Sequence, residues 1–414
     1  MTHDFWRFWA GQTVSAFGSS FTQFAIPLLV FKLTGSPLYL ALTFALFGIP
    51  HLLFGLAIGA WTDRTNRRRL MITVDLLEAL VVASIPAAAA LGILTVWWVL
   101  VAIFVASTLS IFFEAAQFGA VPSLVDQSDL VTANGRIQAS FAAATVAGPL
   151  VAGALLVVLQ VEQLLLVDAA TFFVSAAALS FIRRSFDPAV PRERARLRAD
   201  ITEGLRYVLR HPVLRNISAM MALVNFVGVT VFAQLVYLAK ERYAATDSQI
   251  GILFAAGGVG VLLMSLAAGP LRKRWSFGNV ALGALMLSGV LIVALAYAPS
   301  FWIAVPLWGL SAGLGILFNI NTGSLRQAIV PNHMLGRIIT IAMVLAWSAQ
   351  PLGSMLGGFA IERTHNVQLV YVAIGVLTFV IPLYFRLFSP LGHAERYLGT
   401  GAPSVQPFIA SASR

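Results

Sequence analysis

Cysteine is absent from the 414 residues, and charged side chains make up only 11% of them. Without thiols the chain has no disulfide and no thiolate-ligated zinc or iron–sulfur centre. Its histidines (His3, His51, His211, His333, His365 and His393) are scattered without metal-ligand spacing, and there is no His-Glu-x-x-His pair. No Gly-x-x-x-x-Gly-Lys-Ser/Thr loop is present to cradle nucleotide phosphates. No enzyme, cofactor or metal centre is therefore expected. A soluble domain carries about a quarter charged residues. This chain is instead 59% hydrophobic, with a mean hydropathy of +0.85. Those values describe a polytopic membrane protein whose first partner is the lipid bilayer.

The formal net charge of +10 could suggest nucleic acid, but the placement of the charges argues otherwise. Only Lys32, Lys240, Arg242 and Arg363 fall at one membrane face, leaving 23 of the 27 lysines and arginines at the other. Cationic loops stay in the cytoplasm, so the excess reports topology and no nucleic-acid partner is expected. The first residues, Met-Thr-His-Asp-Phe-Trp-Arg-Phe-Trp, lack a cleavage-site pattern, so the first apolar run reads as a retained span.

Apolar windows of about twenty residues predict twelve spans, near 9–32, 38–60, 70–91, 96–117, 137–158, 163–183, 213–238, 249–271, 277–298, 301–323, 337–361 and 367–388. An even number puts both termini on the cytoplasmic side. The longest polar stretch, Arg184 to His211, separates the sixth span from the seventh. Within it Ile201, Leu205, Val208 and Leu209 recur at helical spacing opposite Glu203, Arg206 and Arg210, which predicts a short amphipathic helix on the membrane surface. The organisation expected is a six-helix bundle over 1–184, a linker over 185–212, a second six-helix bundle over 213–392 and a disordered cytoplasmic tail over 393–414. The halves echo one another. Val121-Pro122 before Gly135-Arg136-Ile137 recurs as Val330-Pro331 before Gly336-Arg337-Ile338, and Gly148-Pro149-Leu150 recurs as Gln350-Pro351-Leu352-Gly353.

The tight loop after the second span reads Gly59-Ala-Trp-Thr-Asp63-Arg64-Thr-Asn-Arg67-Arg68-Arg69. Asp63 ends its own helix, where the macrodipole disfavours an anion, so it needs arginines or the N-terminus of another helix. The pattern Gly-x-x-x-Asp-Arg-x-x-Arg-Arg resembles the loop signature of the major facilitator superfamily of secondary transporters. Leu33-Thr-Gly-Ser-Pro, Val74-Asp-Leu-Leu-Glu-Ala, Phe112-Phe-Glu-Ala-Ala and Asp168-Ala-Ala-Thr-Phe resemble its bacterial twelve-span drug-exporter branch, which includes macrolide, tetracycline and siderophore exporters. The resemblance implies an all-α membrane protein: twelve transmembrane helices in two pseudo-symmetric six-helix bundles.

It also implies a cluster of Asp63, Arg67 and Glu114, with Asp63 facing the start of the eleventh span at Gly336-Arg337. Gly59, Arg64 and Arg68 complete that gating loop. Such a cluster is either a state-dependent lock between the halves, favouring the outward-open state, or a static ion pair. Protons as coupling ion are likewise implied by the family, with Glu114, Asp75 and Asp168 as candidate carriers. The residues themselves allow a blander role: Asp75 and Glu78, one turn apart toward the cytoplasmic end of the third span, could pair with Arg68, Arg69 or Arg136. Asp168 could hydrogen-bond a neighbouring helix. Gly148, Pro149 and Gly153 resemble a partly degraded antiporter motif, where small residues permit close helix approach and proline gives a bend.

In this fold the cavity lies between spans one, four, seven and ten. Those spans offer Gln23 and Phe24, Ser107 and Thr108, Asn225 and Phe226, and Trp308 and Ser311, with Gln234 further outward and Asn319 and Asn321 toward the cytoplasm. Amide, hydroxyl and aromatic groups without a fixed charge suit a small amphipathic substrate. The function expected is export of drug-like amphipathic compounds across a bacterial cytoplasmic membrane by alternating access, as a monomer. A dedicated siderophore or metabolite exporter, a lysophospholipid transporter and a non-transporting membrane protein are the alternatives.

Overall fold

Inside a bilayer no water is available to backbone amides, so a long apolar run must satisfy its own hydrogen bonds as a helix. The protein, seen in a computed structural model, follows that rule throughout residues 2–62, 65–126, 129–182, 184, 186, 197–330 and 335–392, the residues the structure describes. The first six spans are α1 (His3–Thr34), α2 (Pro37–Thr62), α3 (Arg67–Ala90), α4 (Val96–Leu124), α5 (Leu130–Leu155) and α6 (Val161–Ser180). A polar helix, α7 (Leu197–Arg210), follows. The seventh span is split into α8 (Pro212–Ala233) and α9 (Leu235–Tyr243), and the eighth is α10 (Asp247–Arg274). A π-helical turn (Gly278–Leu282) opens α11 (Gly283–Tyr297), and α12 (Phe301–Ile329) is the tenth span. The eleventh is divided into α13 (Leu335–Trp347) and α14 (Gln350–Thr364), and α15 (Val367–Phe388) is the last.

Eleven helices among the described residues are long and apolar enough to cross a membrane. The twelfth crossing is the pair α13 and α14, of 13 and 15 residues, each too short alone. Pro351 sits in the first turn of α14, where its missing amide costs nothing, and this lets the chain stop and restart. Elsewhere punctuation is local. Gly35 adopts φ 62° and donates its amide to the Phe31 carbonyl, a left-handed cap that turns α1 directly into α2.

Helices α1 to α6 pack mainly on one another, as do α8 and α10 to α15, and the two six-span bundles meet where α5 touches α10 and α2 touches α14. The end of the molecule holding the start of α1 and the finish of α15 is called here the terminal end, and the other the distal end. One apolar core runs through both halves toward the distal end, joining Leu28 and Leu164 to Leu235, Leu253 and Ile361. Toward the terminal end it divides. Phe5, Phe8, Met71 and Leu124 form one cluster in the first half, and Val213, Phe277, Phe318 and Phe385 another in the second.

The polar contacts tell the same story. At the distal end Lys32 Nζ lies 2.8 Å from Asp247, Ser36 Oγ donates to Glu362 at 2.9 Å, and Ser248 Oγ donates to the Gly153 carbonyl at 2.7 Å. Gln234, wholly buried at the α8–α9 break, donates from Nε2 to the Pro37 carbonyl at 2.7 Å. Gly153 and Gly251 are packed so closely that a Cβ on Gly153 would sit 3.1 Å from the Gly251 Cα. Among the described residues no hydrogen bond or ion pair joins the halves at the terminal end. Helix α7 docks rather than lying free: Val208 is buried with Leu214, Val330 and Ile338, while Leu209 stays exposed. The expected tail over 393–414 lies outside the described residues.

Candidate substrate site

Between the halves lies a cavity of about 1070 Å³ lined by α1, α2, α5, α8, α10 and α12. Its wall is largely aromatic. The Phe24 and Phe254 rings meet edge-on at 5.6 Å, Phe44 and Phe232 at 5.2 Å, and Phe232 stacks over Trp308 at 6.1 Å. Pairs at these separations hold one another in place beyond simple burial. Phe47, Val146, Val261 and Leu262 extend the apolar lining, and the polar groups are few: Ser20, Gln23, Thr145 and Ser265. Trp308 is 7% exposed, and its Nε1 has no hydrogen-bond partner.

A second space, about 360 Å³, adjoins the first and shares Ser20, Gln23, Phe47 and Thr145 with it. It is lined by the first half alone, by α1, α2, α3, α4, α5 and α6, and its character is opposite. Asp75, Glu78, Glu114, Asp168 and His51 all line it, together with Gln12, Ser15, Ser19, Ser107, Ser110 and Gln117. On α3 the residues Asp75, Glu78 and Val82 fall at i, i+3 and i+7, so one helix face delivers both acids. Ser175 Oγ donates to Asp75 Oδ2 at 2.7 Å and accepts in turn from Gln12 Nε2 at 2.9 Å. Asp168 accepts from the Thr22 hydroxyl, and from Thr171 Oγ1 at 3.2 Å. Glu114 Oε2 lies 3.6 Å from His51 Nε2. Glu78, 5% exposed, makes no hydrogen bond or ion pair among the described residues. No lysine or arginine among the described residues lines either space.

Residues 1–397 match the model of a family described as transmembrane secretion effector. The chain belongs to that family, within the major facilitator superfamily. Among its relatives, macrolide efflux protein A of Streptococcus pyogenes is 25% identical over 87% of the chain and 89% of the relative. The multidrug efflux pump Tap of Mycolicibacterium fortuitum is 27% identical over 82% and 85%. The fold is shared with the crystal structure of a bacterial homologue of the human lysosomal transporter Spinster in an inward-facing, unoccupied conformation. That match has a TM-score of 0.73 at 14% identity, covering 96% of this chain and 97% of that one.

The expected gate is only partly visible. Asp63 and Arg64 lie outside the described residues, and of Gly59, Gly336 and Arg337 only the helical backbone is described. Arg67 is buried and donates to the Gly119 carbonyl at 3.0 Å and the Phe186 carbonyl at 3.2 Å. Glu114 does not join it. Its carboxylate turns to His51 on α2, about one and a half helical turns before Gly119, so the expected Arg67–Glu114 contact is replaced by a cross-helix pair inside the first half. Arg68 caps the end of α6 through the Leu179 carbonyl at 3.0 Å and that of Ser180. Arg136 lies 4.4 Å over the Trp6 ring. Neither arginine pairs with Asp75 or Glu78, whose depth is the reason: Glu78 is halfway along the 24 residues of α3, not at its end.

The expected cavity residues divide. Gln23, Phe24 and Trp308 line the large cavity, and Ser107 the acidic recess. Thr108 donates to its own helix at Phe104, Asn225 ties α8 to the Ala346 carbonyl at 2.9 Å, and Gln234 bridges the halves. Phe226 presents its carbonyl to Gly353, and Asn319 lines neither space. Ser311 is buried against Ser288 at 2.9 Å. Conversely, spans two, five and eight supply more of the wall than span four. These are the helices at the junction, and they touch across it toward the distal end, so their remaining faces open onto the cavity. A recoverable signal was Phe254 set among Gly251, Gly257, Gly258 and Gly260, an aromatic side chain in a stretch otherwise thinned for close approach. Gly148 leaves room for the Ser20 side chain and Gly153 for Gly251, so the glycines of the partly degraded motif serve approach, while α5 runs through Pro149 without a break.

Proposed function

We propose that this protein exports small amphipathic molecules from the bacterial cytoplasm by alternating access, with protons as the counter-ion. The observation that carries this reading is the aromatic cavity of about 1070 Å³ at the junction of the two halves, closed toward the distal end by Lys32–Asp247, Ser36–Glu362 and Gln234–Pro37. A cavity of that size and lining suits a drug-sized body more than a sugar or a phosphate ester. The names of the two efflux relatives point the same way. Arginine-rich loops at the terminal end favour a cytoplasmic placement of both termini, so the distal contacts close the outer face and the conformation is inward-open. Asp75, Asp168 and the His51–Glu114 pair are the candidate proton carriers, because ionisable groups within a span are costly unless they serve transport.

The test is uptake of a fluorescent lipophilic dye into inside-out membrane vesicles. Accumulation driven by an acid-inside gradient and abolished by a protonophore is expected. Uptake that ignores the gradient overturns antiport, and absence of uptake across a panel of amphipathic dyes overturns export.

A further inference from the structure

The two adjoining spaces differ in what they lack. The large cavity offers rings and methyl groups, and the recess beside it offers four carboxylates with no lysine or arginine among the described lining residues to neutralise them. Three of those acids have partners: Asp75 has Ser175, Asp168 has Thr22 and Thr171, and Glu114 has His51. Glu78 has none among the described residues, although it is 95% buried (5% exposed) and lines the recess. A carboxylate this deep with no side-chain donor is costly to keep charged, and a positive group arriving through the recess would relieve it. A second unpartnered group lies within the wall of the neighbouring space. The Trp308 ring lines that wall from the second half, while its indole N–H is packed toward Gly257 without an acceptor among the described residues.

We infer that the substrates of this site are lipophilic organic cations, bound with the apolar body among Phe24, Phe254 and Trp308 and the ammonium group in the recess against Glu78. The inference rests on reading the aromatic cavity as the export site, and it narrows amphipathic compounds to those carrying a positive charge. The aromatic wall supports the same choice, because ring faces attract cations and repel anions. Ser20, Gln23, Phe47 and Thr145 border both spaces, so a molecule with a short linker between its apolar body and its amine reaches from one to the other. Anionic and phosphorylated molecules would meet four acids and, among the described lining residues, no base but His51, which already faces Glu114.

The experiment is equilibrium binding to the purified full chain in lipid nanodiscs, using two radiolabelled probes of one shape. The first is the benzhydryl ether of 2-dimethylaminoethanol, a cation at neutral pH. The second is its neutral isostere, with a CH in place of the protonated nitrogen. Tighter binding of the cation by roughly tenfold or more is expected of the wild type. Glu78→Gln should bring the two probes to equal affinity while leaving the neutral one unchanged, and Glu78→Asp should retain part of the preference. Equal affinities in the wild type overturn the cationic class, and a preference that survives Glu78→Gln overturns the assignment to Glu78. If neither probe binds the wild type, the cavity reading itself fails, which is a separate result. Should Glu78→Gln not yield a monodisperse protein, the wild-type comparison decides the class, and Glu78→Asp, by keeping or losing the preference, decides the residue.

Discussion

The two halves share a helical plan and differ in what they bury. On the third span of the first half, Asp75 and Glu78 face a recess that also receives Glu114, Asp168 and His51. On the third span of the second half, α11, the group at similar depth is Ser288, paired with Ser311 of α12 at 2.9 Å. The second half holds acids only at Glu241, Asp247 and Glu362, all at the distal end. The first bundle alone carries the recess acids, while the aromatic wall is shared, with Phe24, Phe44 and Phe47 from the first half and Phe232, Phe254 and Trp308 from the second. The difference teaches that pseudo-symmetry here is a property of the backbone. The large cavity is apolar on both sides of the junction, and the acids that adjoin it come from one side only.

The comparison breaks most violently if charge is moved across it. Ser288→Glu places a carboxylate where only one hydroxyl can reach it, at a cost of about 3 kcal/mol. Thermal unfolding in detergent should then fall by roughly 5–10 °C, and an unchanged midpoint would mean that the second half tolerates acid as well as the first. Next in size, Asp75→Asn keeps an oxygen for the Ser175 hydroxyl and removes the charge. Gradient-driven dye uptake into vesicles should fall ~tenfold or more, given the cost of retaining such a group without a role, whereas Ser288→Ala should leave uptake within a factor of about two. Equal losses would erase the division of labour. The smallest effect is expected at the distal closure. Lys32 is 45% exposed and Asp247 keeps Lys240 at 2.6 Å, so Lys32→Met should weaken the closure by about 0–1 kcal/mol. Spin-label distances across residues 36 and 362 should report only a modest shift toward separated halves.

Much of this was legible in the sequence, because bilayer thickness imposes a length on every crossing. Residues 367–388 and the start at Val96 are reproduced to the residue. Several helices, such as α4 and α12, overrun the apolar window by about six residues at the terminal end. There the chain emerges into a polar setting that hydropathy does not register as helix. Gln23, Phe24 and Trp308 were readable as cavity residues because their spans sit at the centre of the fold. Phe44, Phe47, Thr145 and Phe254 were not, since whether a junction helix shows its face to the cavity depends on which end of the junction is closed. The partner of Glu114 was hidden for a related reason. His51 lies 63 positions earlier on a different helix, and no local spacing links them. Glu78 shared its helix face with Asp75 in plain view, yet only the packing of α6 and α1 reveals that a hydroxyl answers one acid and none among the described residues answers the other.

The break before Pro351 has a bearing on how the chain would be mapped by reporter fusions. A census by helix length gives eleven crossings, an odd number that sends the two chain ends to opposite compartments. Joining α13 to α14 across Ser348 and Ala349 makes the number even and returns both ends to one compartment. A tag on either end then reports the same side of the membrane, and a fusion truncated inside α13 reports a crossing left unfinished.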